Sequence, residues 1–156
     1  MQIHYEDHAD PTNLVTLAVH ELAKRLVAAV PWLRDIELRV DRDRLNLADD
    51  TLSTIEPLRD GGYEVQIYLI VQWKNKDHGS DAESRAEQVL RTRLAAPAEA
   101  LGFSKTEGWT EMQSPKGESN VAEGYEQHVE DIDALIDLLH RMEGIEGWID
   151  LPPAAG

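Results

Sequence analysis

The chain has 156 residues, 15 Lys plus Arg against 30 Asp plus Glu, a formal net charge of −15, 42% hydrophobic residues and no cysteine. That length and apolar fraction give one domain with a sizeable core and exclude wholesale disorder, while the charge repels phosphate backbones and anionic headgroups and so sets aside direct nucleic-acid and membrane partners. The absent thiols exclude a disulfide framework, a thiolate metal cluster and a cysteine nucleophile, and a start that lacks the basic and apolar regions of a signal peptide leads us to expect a cytoplasmic protein.

In chain order, Asp10 followed by Pro11 reads as a helix cap with proline in the first helical position, and Leu14, Leu17, Ala18, Leu22, Leu26 and Ala29 recur at helical spacing up to Pro31. Ile36, Leu38 and Val40 alternate with polar residues, as in a strand with one buried face. Asp43 to Leu58 has no clean period and reads as a loop or irregular edge. After the Asp60-Gly61-Gly62 turn comes the strongest strand, with Tyr63, Val65, Ile67, Leu69, Val71 and Trp73 on one face. Tyr68 and Ile70 interrupt the polar pattern of its other face. Its longest apolar run, Ile67 to Val71, is far below the roughly 20 residues of a membrane span.

Ser80 with Glu83 suggests a capping box ahead of Ala82, Ala86, Val89, Leu90 and Leu94, with a kink or restart at Pro97 and a C-cap at Gly102. Ser104 to Gln113 and Asn120 to His128 read as a hairpin joined through Ser114 to Glu118. Ile132, Leu135, Ile136, Leu139 and Met142 make a final helix with acids at its start, His140 and Arg141 at its end, and Gly144 as its stop. The tail from Trp148 reads as extended or frayed. The expected fold is α+β: a two-layer sandwich, with an antiparallel sheet of about four strands and three helices mainly on one face, in the order αββαββα. Residues 1–150 would form the single domain and 151–156 an extended C-terminal tail. The sheet face away from the helices would be partly polar and available, with Tyr68 and Ile70 on it.

No chemistry-bearing motif emerges. His4, Asp7, His8 and Asp10 are the densest ligand-type group, but they precede the first helix at a terminus and read as a solvated polar leader. His20-Glu21 lacks the second histidine of a zinc protease, His140 suits a helix C-terminus, and His128 is placed to pair with Glu126 or Glu130. The chain has no G-x-S-x-G, Walker, dinucleotide or EF-hand pattern. No catalytic residue, cofactor or metal is therefore assigned, and a non-enzyme is expected.

What is uneven is the charge: residues 106–156 carry 12 acids and 2 bases, whereas residues 1–105 carry 18 acids and 13 bases. This points to an acidic face engaging a basic, nucleic-acid-handling protein, as inhibitors, immunity proteins and antitoxins do when carboxylates compete for a phosphate cleft. The expected contact residues are Glu107, Trp109, Glu111, Glu123, Tyr125, Glu126, Glu130, Asp131, Asp133 and Asp137, with Trp109 and Tyr125 as anchors. Two other readings are available. The early helix, the long strand and the following helix, about half the chain, resemble phage tail-terminator or head-tail joining proteins, which implies a ring-forming subunit. A carboxylate pair on the hairpin beside its aromatics would suit a small glycoside-type hydrolase.

Overall fold

The computed structural model describes residues 2–111 and 117–153. Asn13, not Asp10, caps the first helix, α1 (Leu14–Ala29), its side-chain oxygen accepting from the Val15 and Thr16 N–H groups at 2.9 and 3.4 Å. Asp10 instead accepts from the hydroxyl and N–H of Thr12, which closes a turn around Pro11 and holds the Asp10 carboxyl below its usual range. The later start also changes the buried stripe. Thr16, Val19, Leu22, Ala23 and Leu26 are buried, and Leu14 is left 82% exposed.

The fold is mixed α+β with one open sheet of eight strands: β1 (Ile3–Tyr5), β2 (Leu38–Asp41), β3 (Arg44–Leu47), β4 (Thr54–Pro57), β5 (Tyr63–Lys74), β6 (Ser104–Glu111), β7 (Glu118–Val129) and β8 (Trp148–Asp150). The order is β1-β2-β3-β4-β5-β7-β6, and β8 pairs with β5 at Ile70 to Gln72, past the point where β4 ends. Most pairs are antiparallel, but β1–β2 and β5–β8 are parallel. Four strands exceed the expected count. The polar leader supplies β1, the segment read as a loop supplies β3 and β4, and the tail supplies β8. Each is three or four residues long, so none repeats its alternation more than twice, too few to stand out in sequence.

The second helical stretch starts at Ala82 without the expected Ser80–Glu83 box; the Asp81 carboxylate lies 3.2 Å from Arg85. It runs as α2 (Ala82–Val89), widens to a π-helix over Leu90–Ala95, and continues as α3 (Ala96–Ala100). The widening comes just ahead of Pro97, whose ring and missing N–H disrupt an ordinary helical turn, so the chain continues rather than breaks. Gly102 (φ +101°) then closes it: the Phe103 N–H reaches the Ala98 carbonyl and the Gly102 N–H reaches that of Glu99, a Schellman stop. The final helix, α4 (Ile132–Arg141), is capped by Asp131, which accepts from the Ala134 N–H at 2.8 Å.

Leu38, Val40, Leu45, Leu47, Ile55, Val65, Ile67, Leu69 and Val71 align across the strands on one face, and with Val19, Leu26, Leu94, Leu135 and Leu139 they form the core. Leu151 belongs to it too, its N–H on the Gln72 carbonyl, so the core extends one residue past the expected domain boundary. Residues 154–156 of the expected tail lie outside the described residues. No described helix is long and apolar enough to cross a membrane.

The loop between β3 and β4 is knit by Asp49, which accepts from the buried Thr51 and Ser53 hydroxyls and the Ser53 N–H. Its neighbour Asp50 accepts from the N–H groups of Gly147 and Trp148, and so fixes the entry to β8. Residues 43–58 therefore position the C-terminal strand.

Candidate interaction face

Strand register decides which hairpin residues share a surface. For the expected hairpin contacts to share one surface, Glu107, Trp109 and Glu111 would have to face Glu123 and Tyr125. Instead Glu107 pairs with Gly124, Trp109 with Ala122 and Glu111 with Asn120, because β6 bulges between Lys105 and Glu107. A one-residue slip sends side chains to the other face. Glu107 and Trp109 therefore turn to the open face, while pairing with β5 keeps Glu123 and Tyr125 on the core side of the sheet, opposite Leu69 and Ile67.

Tyr125 is 1% exposed and cannot anchor a partner. Its hydroxyl donates to Glu123 at 2.9 Å, and burial, followed by that carboxylate, pushes its pKa up to about 12. Glu123 also receives Lys105 at 2.6 Å and Arg91 at 3.2 Å, and Arg91 reaches on to Glu99 at 2.9 Å. The Glu123 carboxylate raises the Arg91 pKa further above its usual range. This cluster pins the π-helical turn to β7, a structural duty for two residues expected at an interface.

The other sheet face is a separate surface. Trp148, Ile70, Ala122 and Trp109 follow one another directly across β8, β5, β7 and β6. Trp148 and Trp109 are 44% and 41% exposed, three strand spacings apart, or about 14 Å. In the adjacent row, Tyr68 meets Trp109 edge-on, with ring centroids 5.9 Å apart at 67°. The interruption at Tyr68 and Ile70 is thus the centre of an aromatic row.

Beside the row lies a hollow of about 240 Å³ over Gly124, lined by Gln66, Tyr68, Thr106, Glu107 and Glu126. A side chain on Gly124 would partly fill it, since a Cβ would come within 3.2 Å of Glu107 and Thr106. Glu126 sits diagonally from Glu64, whose charge, together with partial burial and a hydrogen bond between the two carboxyls, raises the Glu126 pKa. Among the described residues, neither Glu64, Glu107 nor Glu126 forms a salt bridge.

The remaining expected contacts fall elsewhere. Glu130 and Asp131 stand at the turn into α4, with Asp131 spent on the cap; Asp133 is exposed in its first turn, and Asp137 pairs with Arg141 at 3.1 Å. Because α4 buries Leu135, Leu138 and Leu139 in the core, its outward acids lie across the core from the open sheet face. The Glu111 side chain lies outside the described residues.

Trp148 and Glu64 were missed as site residues. A short strand at Trp148-Ile149-Asp150 was the only available signal for the first, and its parallel pairing with β5 leaves no mark in local sequence. Of the histidines, His8 pairs with Asp41, His20 contacts the Tyr5 hydroxyl at 2.6 Å, and His128 faces Asp60 at 3.7 Å rather than Glu126 or Glu130. No group of three metal-ligating side chains converges among the described residues. Comparison of the chain with protein-family models, curated proteins and solved structures gives no match.

Proposed function

We propose that this is a non-enzymatic interaction domain of the inhibitor, immunity-protein or antitoxin type, which binds a basic, nucleic-acid-handling protein through carboxylates and aromatics. In this reading the domain is a two-layer sandwich whose helices lie mainly on one face, and the other sheet face is the binding surface. The observation that supports it is the row Trp148, Ile70, Trp109 with Tyr68, set on that face beside Glu64, Glu107 and Glu126, which no cation among the described residues meets in a salt bridge. Exposed aromatics supply contact area, and the carboxylates supply attraction and register toward Arg or Lys. Of the residues expected from sequence, Glu107, Trp109 and Glu126 remain in the proposed contact.

The test is capture of a basic nuclease or related nucleic-acid-handling protein from the source cell at low and high salt, with the domain's mass measured by light scattering. A monomer that captures such a protein at low salt and loses it at high salt is expected. Trp109→Ala should then weaken binding about tenfold or more. Glu107→Lys with Glu126→Lys should slow association while urea stability stays near the parent value. A stable ring with no such capture, or binding untouched by these substitutions, refutes the proposal.

A further inference from the structure

β6 ends the sheet: β7 holds one of its edges, and no described strand holds the other. The strand is eight residues long, against three for β1 at the opposite end. Natural edge strands are guarded by outward lysines, prolines or bulges. Here the bulge lies near the start of the strand, between Lys105 and Glu107, and the Lys105 ammonium turns inward to Glu123 at 2.6 Å. From Glu107 to Thr110 the edge has no proline, lysine or bulge of its own; Gly108 at its centre has no side chain, and the Lys105 stem lies over it on the cleft side on its way to Glu123.

A wall stands beside this edge. Glu87, Leu90 and Arg91 of the helical stretch face Lys105, Gly108, Trp109 and Thr110 of β6 across a cleft of about 490 Å³. A strand laid along β6 would send alternate side chains into that cleft and the others onto the open face, beside Glu107 and Trp109. Strand addition works this way: the main chain supplies ladder bonds, and pockets on either side read alternate residues.

Charge selects the occupant. A second copy would bring another −15 to the same edge, which opposes self-pairing. On the open side a cation meets the Glu107 carboxylate and the Trp109 ring, whereas on the cleft side Arg91 and Lys105, both held by Glu123, disfavour a cation and leave Leu90 to receive an aliphatic residue. We infer that β6 takes up an extended segment of a basic protein, with Lys or Arg alternating with aliphatic residues, as an added strand. This rests on the proposed basic partner and adds how that partner is held.

The experiment uses the whole domain and two synthetic heptapeptides in which Lys or Arg alternates with Val. One is unmodified, and the other is N-methylated at alternate amides on the edge that would face β6. Charge and side chains are the same in both, and every modification is on the peptide, so domain folding is not disturbed. The unmodified peptide should bind about tenfold or more tightly than the methylated one, which loses several ladder bonds. It should also slow amide hydrogen exchange within residues 104–111. Equal binding of both peptides, with no added protection in β6, overturns strand addition while leaving salt-sensitive capture through the open face in place. Failure of both peptides to bind overturns it as well, and capture of the natural partner then separately decides the broader proposal.

Discussion

Tyr125 gives the sharpest check on which face of the hairpin is buried. Its pKa rises from 10.0 in the unfolded chain to about 12 in the fold, through burial first and the Glu123 carboxylate second. A raised acid pKa favours the protonated form in the native state, so this stability is present below pH 10 and is lost as pH rises toward 12. Two pH units at 1.36 kcal/mol each set the full loss at about 2.7 kcal/mol. Tyr125→Phe removes the ionisation, and with it one hydrogen bond to a carboxylate that keeps Lys105 and Arg91, a cost of about 1 kcal/mol at neutral pH. The variant should therefore be the less stable below pH 10 and the more stable at pH 12, with the curves crossing at about pH 11. Urea unfolding across this range measures both curves, and absorbance of the tyrosinate near 295 nm follows the ionisation. Other groups titrate in both proteins and cancel in the difference. Parallel curves would place Tyr125 in solvent and refute its position on the core face opposite Ile67.

Glu64→Gln should stabilise the domain by about 0.5 kcal/mol at pH 7 by ending the repulsion that raises Glu126. The sign follows from the raised pKa: repulsion appears only as pH rises through Glu126's folded pKa, so the gain should vanish in urea melts near pH 3. Arg42 has φ +57° in the two-residue turn between β2 and β3, and Arg42→Gly should raise stability by about 0.5–1 kcal/mol; a loss in urea unfolding would count against strain there. Gly147→Ala would place a Cβ 2.6 Å from both the Asp50 carbonyl oxygen and the Thr51 Cα. It should cost about 2 kcal/mol or more and red-shift Trp148 emission as β8 separates from Asp50. Unchanged emission and stability would show that the Asp50 clamp does not hold the strand.

Long elements with a repeated period could be read from sequence. Tyr63 to Lys74 carries six apolar alternations, and α4 carries its stripe, its Asp131 cap and its Gly144 stop within a few residues of one another. The short strands could not, because β3 and β4 have only Leu45, Leu47 and Ile55 to mark them, and their burial depends on partners distant in sequence. Caps were partly legible. Asn13 and Asp10 are both good capping residues, and the choice falls to Asn13 because Thr12 occupies the Asp10 carboxylate. The candidate site was half visible: the odd apolar pair Tyr68 and Ile70 marked the open face, but the bulge that turns Trp109 onto it, away from the face Tyr125 shares with Ile67, has no sequence signature.

The acids on and around β7 differ in how they are met. Glu99, Glu123 and Glu146 are each met by arginine, and Glu123 and Glu146 tie the helical stretch to β7 and to the entry of β8. Among the described residues Glu64, Glu107 and Glu126 have no such partner, and the Glu64–Glu126 repulsion works against the fold. Acidity that served only solubility would be dispersed and kept apart from exposed apolar groups, because an aromatic row on a flat sheet invites association. Here Glu107 and Glu126 line, beside Tyr68, a hollow that keeps its depth because residue 124 is glycine. A basic protein surface offers both a cation for the carboxylates and cover for the rings, and a second acidic copy offers no cation.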